Sequence, residues 1–266
     1  MEASVWLLGG WGGPMPKTIH AILLLALVTC GCATARPQVC AMPARGPVLG
    51  VVFVVEGAGN YPVIATNLRD AILEQQLPLK LEEFEWSHGP GSFLADQMDY
   101  AYVRAEGHQL AARIAAFRQS CPERKVYVVA HSAGSAVVLA AAESLLPGSL
   151  DRMVLVAPAV SADYDLRPAL RCCRQGLDVF TSSRDTFYLG IGVAILGTTD
   201  RQWTDAAGRL GFRPIIATSE DAALYGKLRQ HPWDGCVAWT GNTGGHAGGC
   251  RRAYLKAYVL PLLRPE

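Results

Sequence analysis

Apolar and polar positions along the chain fall into blocks that alternate between two periods. Residues 48–57, VLGVVFVVEG, form an almost unbroken β-branched run, which predicts a strand buried on both faces. In 61–76, YPVIATNLRDAILEQQ, Ala65, Leu68 and Ile72 recur at helical spacing. Residues 79–87, LKLEEFEWS, mix apolar and acidic positions and predict a second strand. A long helical stretch follows over 95–122 and stops at Pro122. KVYVVA at 125–130 predicts a third strand, and SAVVLAAAESLL at 135–146 a helix ended by Pro147-Gly148. LDRMVLVAP at 150–158 predicts a fourth strand, DLRPALRCCRQG at 165–176 a short helix closed by Gly176, and LDVFTSS at 177–183 a fifth strand. GCVAWTG at 235–241 is expected to be the last strand and CRRAYLKAYVLPLL at 250–263 the final helix. Strands alternating with helices imply the α/β class: a mainly parallel central sheet with helices on both faces. Right-handed crossovers then gather the functional loops beyond the carboxyl ends of the strands. The stretch 189–228 shows no clear period, and its Gly-rich part reads as an excursion beside that edge.

Composition narrows the picture. Half of the 266 residues are hydrophobic and 18% are charged, which is enough apolar material for a sizeable core. The formal net charge is +1 and no Lys/Arg stripe occurs, so nucleic acid is not an expected partner.

The N-terminus reads as a targeting segment. Lys17 and His20 precede the apolar run from Ala21 to Val28, which is too short for a bilayer span and long enough for a signal h-region. Translation is expected to start at Met15, because no positive charge precedes Lys17. VTCGCA resembles a bacterial lipoprotein box, with Gly31 before Cys32. The resemblance makes Cys32 the lipid-bearing residue and the membrane a partner through that anchor; the alternative is an ordinary cleaved signal peptide. The expected organisation is a signal segment over 1–32, a tether over 33–47 and a single domain over 48–266. Export permits disulfides. Cys236 and Cys250 flank a Gly-rich loop and are the expected pair, whereas a bridge between the neighbours Cys172 and Cys173 would be strained. No cysteine pair has zinc-finger spacing, and no metal is expected.

KVYVVAHSAGSAVVLAAA, 125–142, places Ser132 between a predicted strand and a predicted helix. A serine there projects its hydroxyl from the sheet edge, while helix-start amides point toward developing negative charge. The turn must be sharp, so the residues two before and two after must be small; Ala130 and Gly134 meet that need. The stretch resembles the G-x-S-x-G nucleophile elbow of α/β-hydrolases, with Ala130 in place of the leading Gly. The resemblance implies an acid and then a histidine later in the chain. SSRD puts Asp185 beyond the fifth strand, and GGHAGG puts His246 in the loop before the final helix. Asp163 and Asp165 are the runner-up acids, and Asp178 sits at the wrong end of its strand. His231 ranks second as base. His131 is read as a packing or pocket residue, and His88 and His108 as structural.

The same resemblance implies an oxyanion hole from the amides of Ala133 and Ala58, with Gly59 as the alternative to Ala58 because the register of EGAG is open. Trp86 is expected either to line an acyl pocket or to sit half buried in the sheet. The expected activity is hydrolysis of carboxylic esters through an acyl-enzyme on Ser132, without cofactor, on a small-molecule or lipid ester. Lipase, thioesterase, peptidase and acyltransferase chemistry fit the same residues, as does a non-catalytic binding module on the same fold.

Overall fold

The computed structural model describes residues 47–265. The signal-peptide reading, Cys32, Cys40 and nearly all of the tether lie outside the described residues. Six strands form one sheet in the order β2-β1-β3-β4-β5-β6. They are β1 (Gly50–Val55), β2 (Leu79–Glu83), β3 (Lys125–His131), β4 (Arg152–Val156), β5 (Leu177–Thr181) and β6 (Leu228–Pro232). Every pairing is parallel.

The period-2 geometry of a strand sends alternate side chains to opposite layers. Val51, Phe53 and Val55 of β1, with Val126, Val128 and Ala130 of β3, pack in one core with the helices Tyr100–Ser120 and Gly134–Ala142. Val52, Val54, Tyr127 and Val129 pack in the other, with the Ile64–Glu74 helix and the C-terminal segment ending at Leu263. A strand covered on both faces needs apolar side chains at successive positions, which is why β1 and β3 read as continuous runs. Each fully buried aliphatic side chain contributes about 1.5–3 kcal/mol relative to exposure.

Three elements differ from the sequence expectation. The long helix is two helices, Phe93–Met98 and Tyr100–Ser120, because Asp99 leaves helical geometry and its side chain accepts the Tyr102 amide as an N-cap. GCVAWTG is not a strand: Gly235–Thr240 is a 3₁₀ turn capped by Asp234, which accepts the Cys236 amide at 2.7 Å. The last strand is Leu228–Pro232, whose polar sequence LRQHP suits an edge strand rather than a core one. The C-terminal segment changes helical type twice, from a short α turn through a π turn to a 3₁₀ turn containing Pro261.

The expected Cys236–Cys250 disulfide is not formed. Cys236 is exposed beside Asp234, while Cys250 is sealed in the second core layer, so the two thiols occupy opposite environments. Cys121, Cys172 and Cys173 are also free. Among the described residues, no helix is long and apolar enough to cross a membrane.

Candidate active site

The carboxyl end of β3 runs into a turn at Ser132, whose φ is +51°. That left-handed backbone is disfavoured for any side chain with a Cβ, so neighbours must hold it. They do so at both peptide groups. The Ser132 amide donates to the Val156 carbonyl at 3.0 Å, and the Ser132 carbonyl accepts the Ala159 amide at 3.1 Å. Gly134 opens the helix Gly134–Ala142 directly against β1; a Cβ there would stand 2.2 Å from the Glu56 carbonyl oxygen. The small residue that the elbow needs is therefore imposed by the strand next door.

His246 lies in the loop between the turns Gly235–Thr240 and Gly248–Cys250. Its Nε2 is 2.8 Å from Ser132 Oγ, and its Nδ1 is 2.5 Å from Asp185 Oδ2. Asp185 is buried just beyond β5. With an ionised Asp185 accepting from Nδ1–H, Nε2 is left to accept from the serine hydroxyl. The loops carrying the acid and the base are joined directly, since Ser182 Oγ donates to the Gly244 carbonyl at 2.6 Å. Asn242 Oδ1 accepts the Gly244 amide at 3.0 Å, and Trp233 Nε1 donates to the Asn242 carbonyl at 2.9 Å. The Tyr188 ring stacks on the His246 ring with centroids 4.8 Å apart. Ser182, Asn242 and Tyr188 were not singled out from sequence. Ser182 stands in the same SSRD stretch as Asp185, which was its one visible signal.

The turn after β1 packs on the nucleophile: a Cβ at Gly57 would be 3.1 Å from Ser132 Cβ. Two amides of this turn are engaged within the protein. Gly59 N–H is already committed to Asp96 Oδ2 at 2.6 Å, and Asn60 N–H to the Gly57 carbonyl at 3.1 Å. The amides of Ala58 and Ala133 have no hydrogen-bond partner among the described residues. Glu56, at the end of β1, is buried and accepts the Ala65 amide at 2.8 Å. Burial raises its carboxyl from 4.5 to about 7, against that amide bond, which favours the charged form.

The runner-up residues lie elsewhere. Asp163 pairs with Arg213 and Asp165 with Arg167. Asp178 is buried in β5 and binds Arg152, Arg229 and His231, which together hold its carboxyl well below the usual range despite burial. His231 is thereby a partner of Asp178 rather than of Ser132. His108 bonds Ser144 Oγ, and His88 bonds Asp96. His131 is buried and its Nε2 donates to the His246 carbonyl at 3.2 Å; burial, and then the nearby His246, push it down to about 3, so it stays neutral. Trp86 is not half buried: it is fully buried, with Nε1 donating to the Glu56 carbonyl at 2.9 Å. Among the described residues no group of three His, Cys, Asp or Glu side chains is placed to hold a metal ion.

Residues 107–196 match the Hydrolase_4 family, described as serine aminopeptidase, S33. The matched stretch takes in Ser132 and Asp185 and ends before His246. No curated protein matches the sequence. Similar solved structures include a putative hydrolase of the alpha/beta superfamily from Xanthomonas campestris pv. campestris, 14% identical, with TM-score 0.44, covering 80% of this chain and 99% of that one. The catalytic core of acetyl xylan esterase from Trichoderma reesei is 14% identical, with TM-score 0.44, covering 83% of this chain and all of that one. A Trichoderma reesei cutinase is 18% identical, with TM-score 0.39, covering 81% and 77%. The parallel six-stranded sheet, its strand order and the helices on both of its faces give this chain an α/β-hydrolase fold.

Proposed function

We propose that this protein is a serine hydrolase that cleaves carboxylic esters through an acyl-enzyme on Ser132. The observation that carries the proposal is the hydrogen-bonded line Asp185–His246–Ser132, ending on a serine held at positive φ. His246 Nε2 takes the serine proton as Oγ bonds to the ester carbonyl carbon. The carbonyl electrons move onto oxygen, where the amides of Ala58 and Ala133 stabilise the oxyanion. Collapse expels the alcohol, which receives the proton from His246. Water, deprotonated by His246, then attacks the acyl carbon; the second intermediate collapses with cleavage of the acyl–Oγ bond, His246 returns the proton to Ser132 Oγ, and the acid is released. Asp185 keeps the proton of the resting imidazole on Nδ1 and offsets the charge of the imidazolium.

An ester is favoured by the surroundings. Phe187, Tyr188, Ile191 and Ile195 follow β5 on the segment that stacks on His246, and all four are exposed. Such a rim suits an apolar acyl or alkyl group. The aminopeptidase description of the matched family would call for a free acidic group to hold a substrate α-ammonium. Glu56, Asp96 and Asp185 are instead buried, and the last two are fully engaged.

The test is labelling with a fluorophosphonate, followed by turnover of p-nitrophenyl esters of increasing chain length beside aminoacyl p-nitroanilides. The wild type is expected to label and to turn over esters; Ser132→Ala is expected not to label and to lose about four to six decades of kcat. Folded wild type that stays unlabelled overturns the nucleophile. Turnover of anilides alone overturns the ester while keeping the nucleophile. The proposal extends to a single domain over 48–266 and to export with a lipid on Cys32. Both rest on sequence, and mass spectrometry of the mature N-terminus tests the second.

A further inference from the structure

Asp96 is the most completely enclosed carboxylate near the nucleophile. It is 0% exposed, and four donors converge on its two oxygens. Oδ2 accepts Gly59 N–H at 2.6 Å and Ser87 Oγ–H at 2.6 Å. Oδ1 accepts the His88 amide at 2.9 Å and lies 2.9 Å from His88 Nδ1. Burial alone would favour the neutral acid, but the bonds from Ser87, His88 and Gly59 more than offset it and hold the carboxyl below its usual value. The helix that supplies it, Phe93–Met98, is itself fixed. Gln97, the next residue, is buried; its Nε2 donates to the Gly197 carbonyl at 3.3 Å, and its Oε1 accepts Thr199 Oγ1–H at 3.1 Å.

What this carboxylate grips is the turn after β1. Gly59 sits at φ +83° in a turn closed by the bond from Asn60 N–H to the Gly57 carbonyl, and the Gly57 end lies against Ser132. Of the amides at 58, 59 and 60, two are spent on these bonds and the third, Ala58, is the candidate donor to an oxyanion. We infer that Asp96 is the positioning residue of the oxyanion hole: by holding Gly59 N–H it fixes the turn that presents Ala58 N–H to the oxyanion formed on Ser132. The inference rests on the reading of Ser132 as nucleophile. An amide cannot replace the carboxylate, because an Asn NH₂ group in place of either oxygen would face two of the four donors, one of them a backbone N–H.

The test compares wild type with Asp96→Asn, with active sites counted by fluorophosphonate stoichiometry so that unfolded protein does not enter the rates. Removing an oxyanion donor outright costs about 10²–10³ in kcat, so loosening one is expected to cost about 10–100-fold in kcat per titrated site, with KM changed less than about threefold. Affinity for a boronic acid that forms a tetrahedral adduct on the serine is expected to fall by a similar factor, and affinity for the product carboxylic acid to stay. A kcat per site within twofold of wild type, or an unchanged boronate affinity, overturns the inference. If Asp96→Asn yields no folded protein, Ser87→Ala decides, since it removes one bond to the same oxygen. A severalfold loss of kcat at constant KM supports the inference, and unchanged kcat overturns it. Wild type that does not label sinks the Ser132 reading before any variant is made, and the inference with it.

Discussion

Ser132 and Glu56 show two ways in which single residues here carry a local cost. A left-handed backbone at a serine costs about 1–3 kcal/mol and persists only when its surroundings over-determine it, as the bonds to Val156 and Ala159 do. At Glu56 the cost is electrostatic. The native protein keeps the Glu56 proton up to about pH 7, whereas the unfolded chain releases it near 4.5. Between those values the native state binds more protons, so this residue's contribution to stability falls as pH rises through that window and is level above it. The full shift corresponds to about 3 kcal/mol. Glu56→Gln keeps an acceptor for the Ala65 amide and carries no charge. Urea unfolding is expected to show the variant more stable than wild type at pH 8 and nearly equal to it at pH 4. A variant that is less stable at pH 8 would show that the ionised carboxylate is not the source of cost.

Among the elements, the helices Tyr100–Ser120 and Gly134–Ala142 cross at close range. Gly107 makes it possible: a Cβ there would stand 2.6 Å from Ala140 Cβ and 2.9 Å from the Val137 carbonyl oxygen. Helix propensity alone says that Gly107→Ala stabilises by about 1 kcal/mol. Overpacking against a neighbour's backbone costs about 1–3 kcal/mol and should win. The expected result is a lower urea midpoint with unchanged m-value, and a higher midpoint would mean that the helices part freely. At this scale the central strands were legible, because burial on both faces demands successive apolar residues. β6 was not. An edge strand has one neighbour and a wet side, so LRQHP carries no apolar pattern, and its Arg229 and His231 are there to satisfy Asp178.

For the whole molecule, the thiols report the packing. Cys250, Cys172 and Cys173 are enclosed, Cys236 is exposed and Cys121 is intermediate. Burial also pushes the Cys250 thiol up, which removes the reactive thiolate. Iodoacetamide is expected to modify Cys236 in the native protein and Cys250, Cys172 and Cys173 only after unfolding. A native protein that resists modification at both Cys236 and Cys250 until it is reduced would restore the disulfide that the sequence suggested.

The order of Ser132, Asp185 and His246, the small residues at 130 and 134, and the alternation of strands and helices were all written in the chain. These are local matters: turn sterics, periodicity, and the strand ends at which loops emerge. The tertiary structure decided the rest. It spent the Gly59 amide on Asp96, paired His231 with Asp178, and separated Cys236 from Cys250. Each of these is a competition among partners far apart in sequence for one hydrogen bond, one charge or one buried volume. No spacing along a chain records who wins.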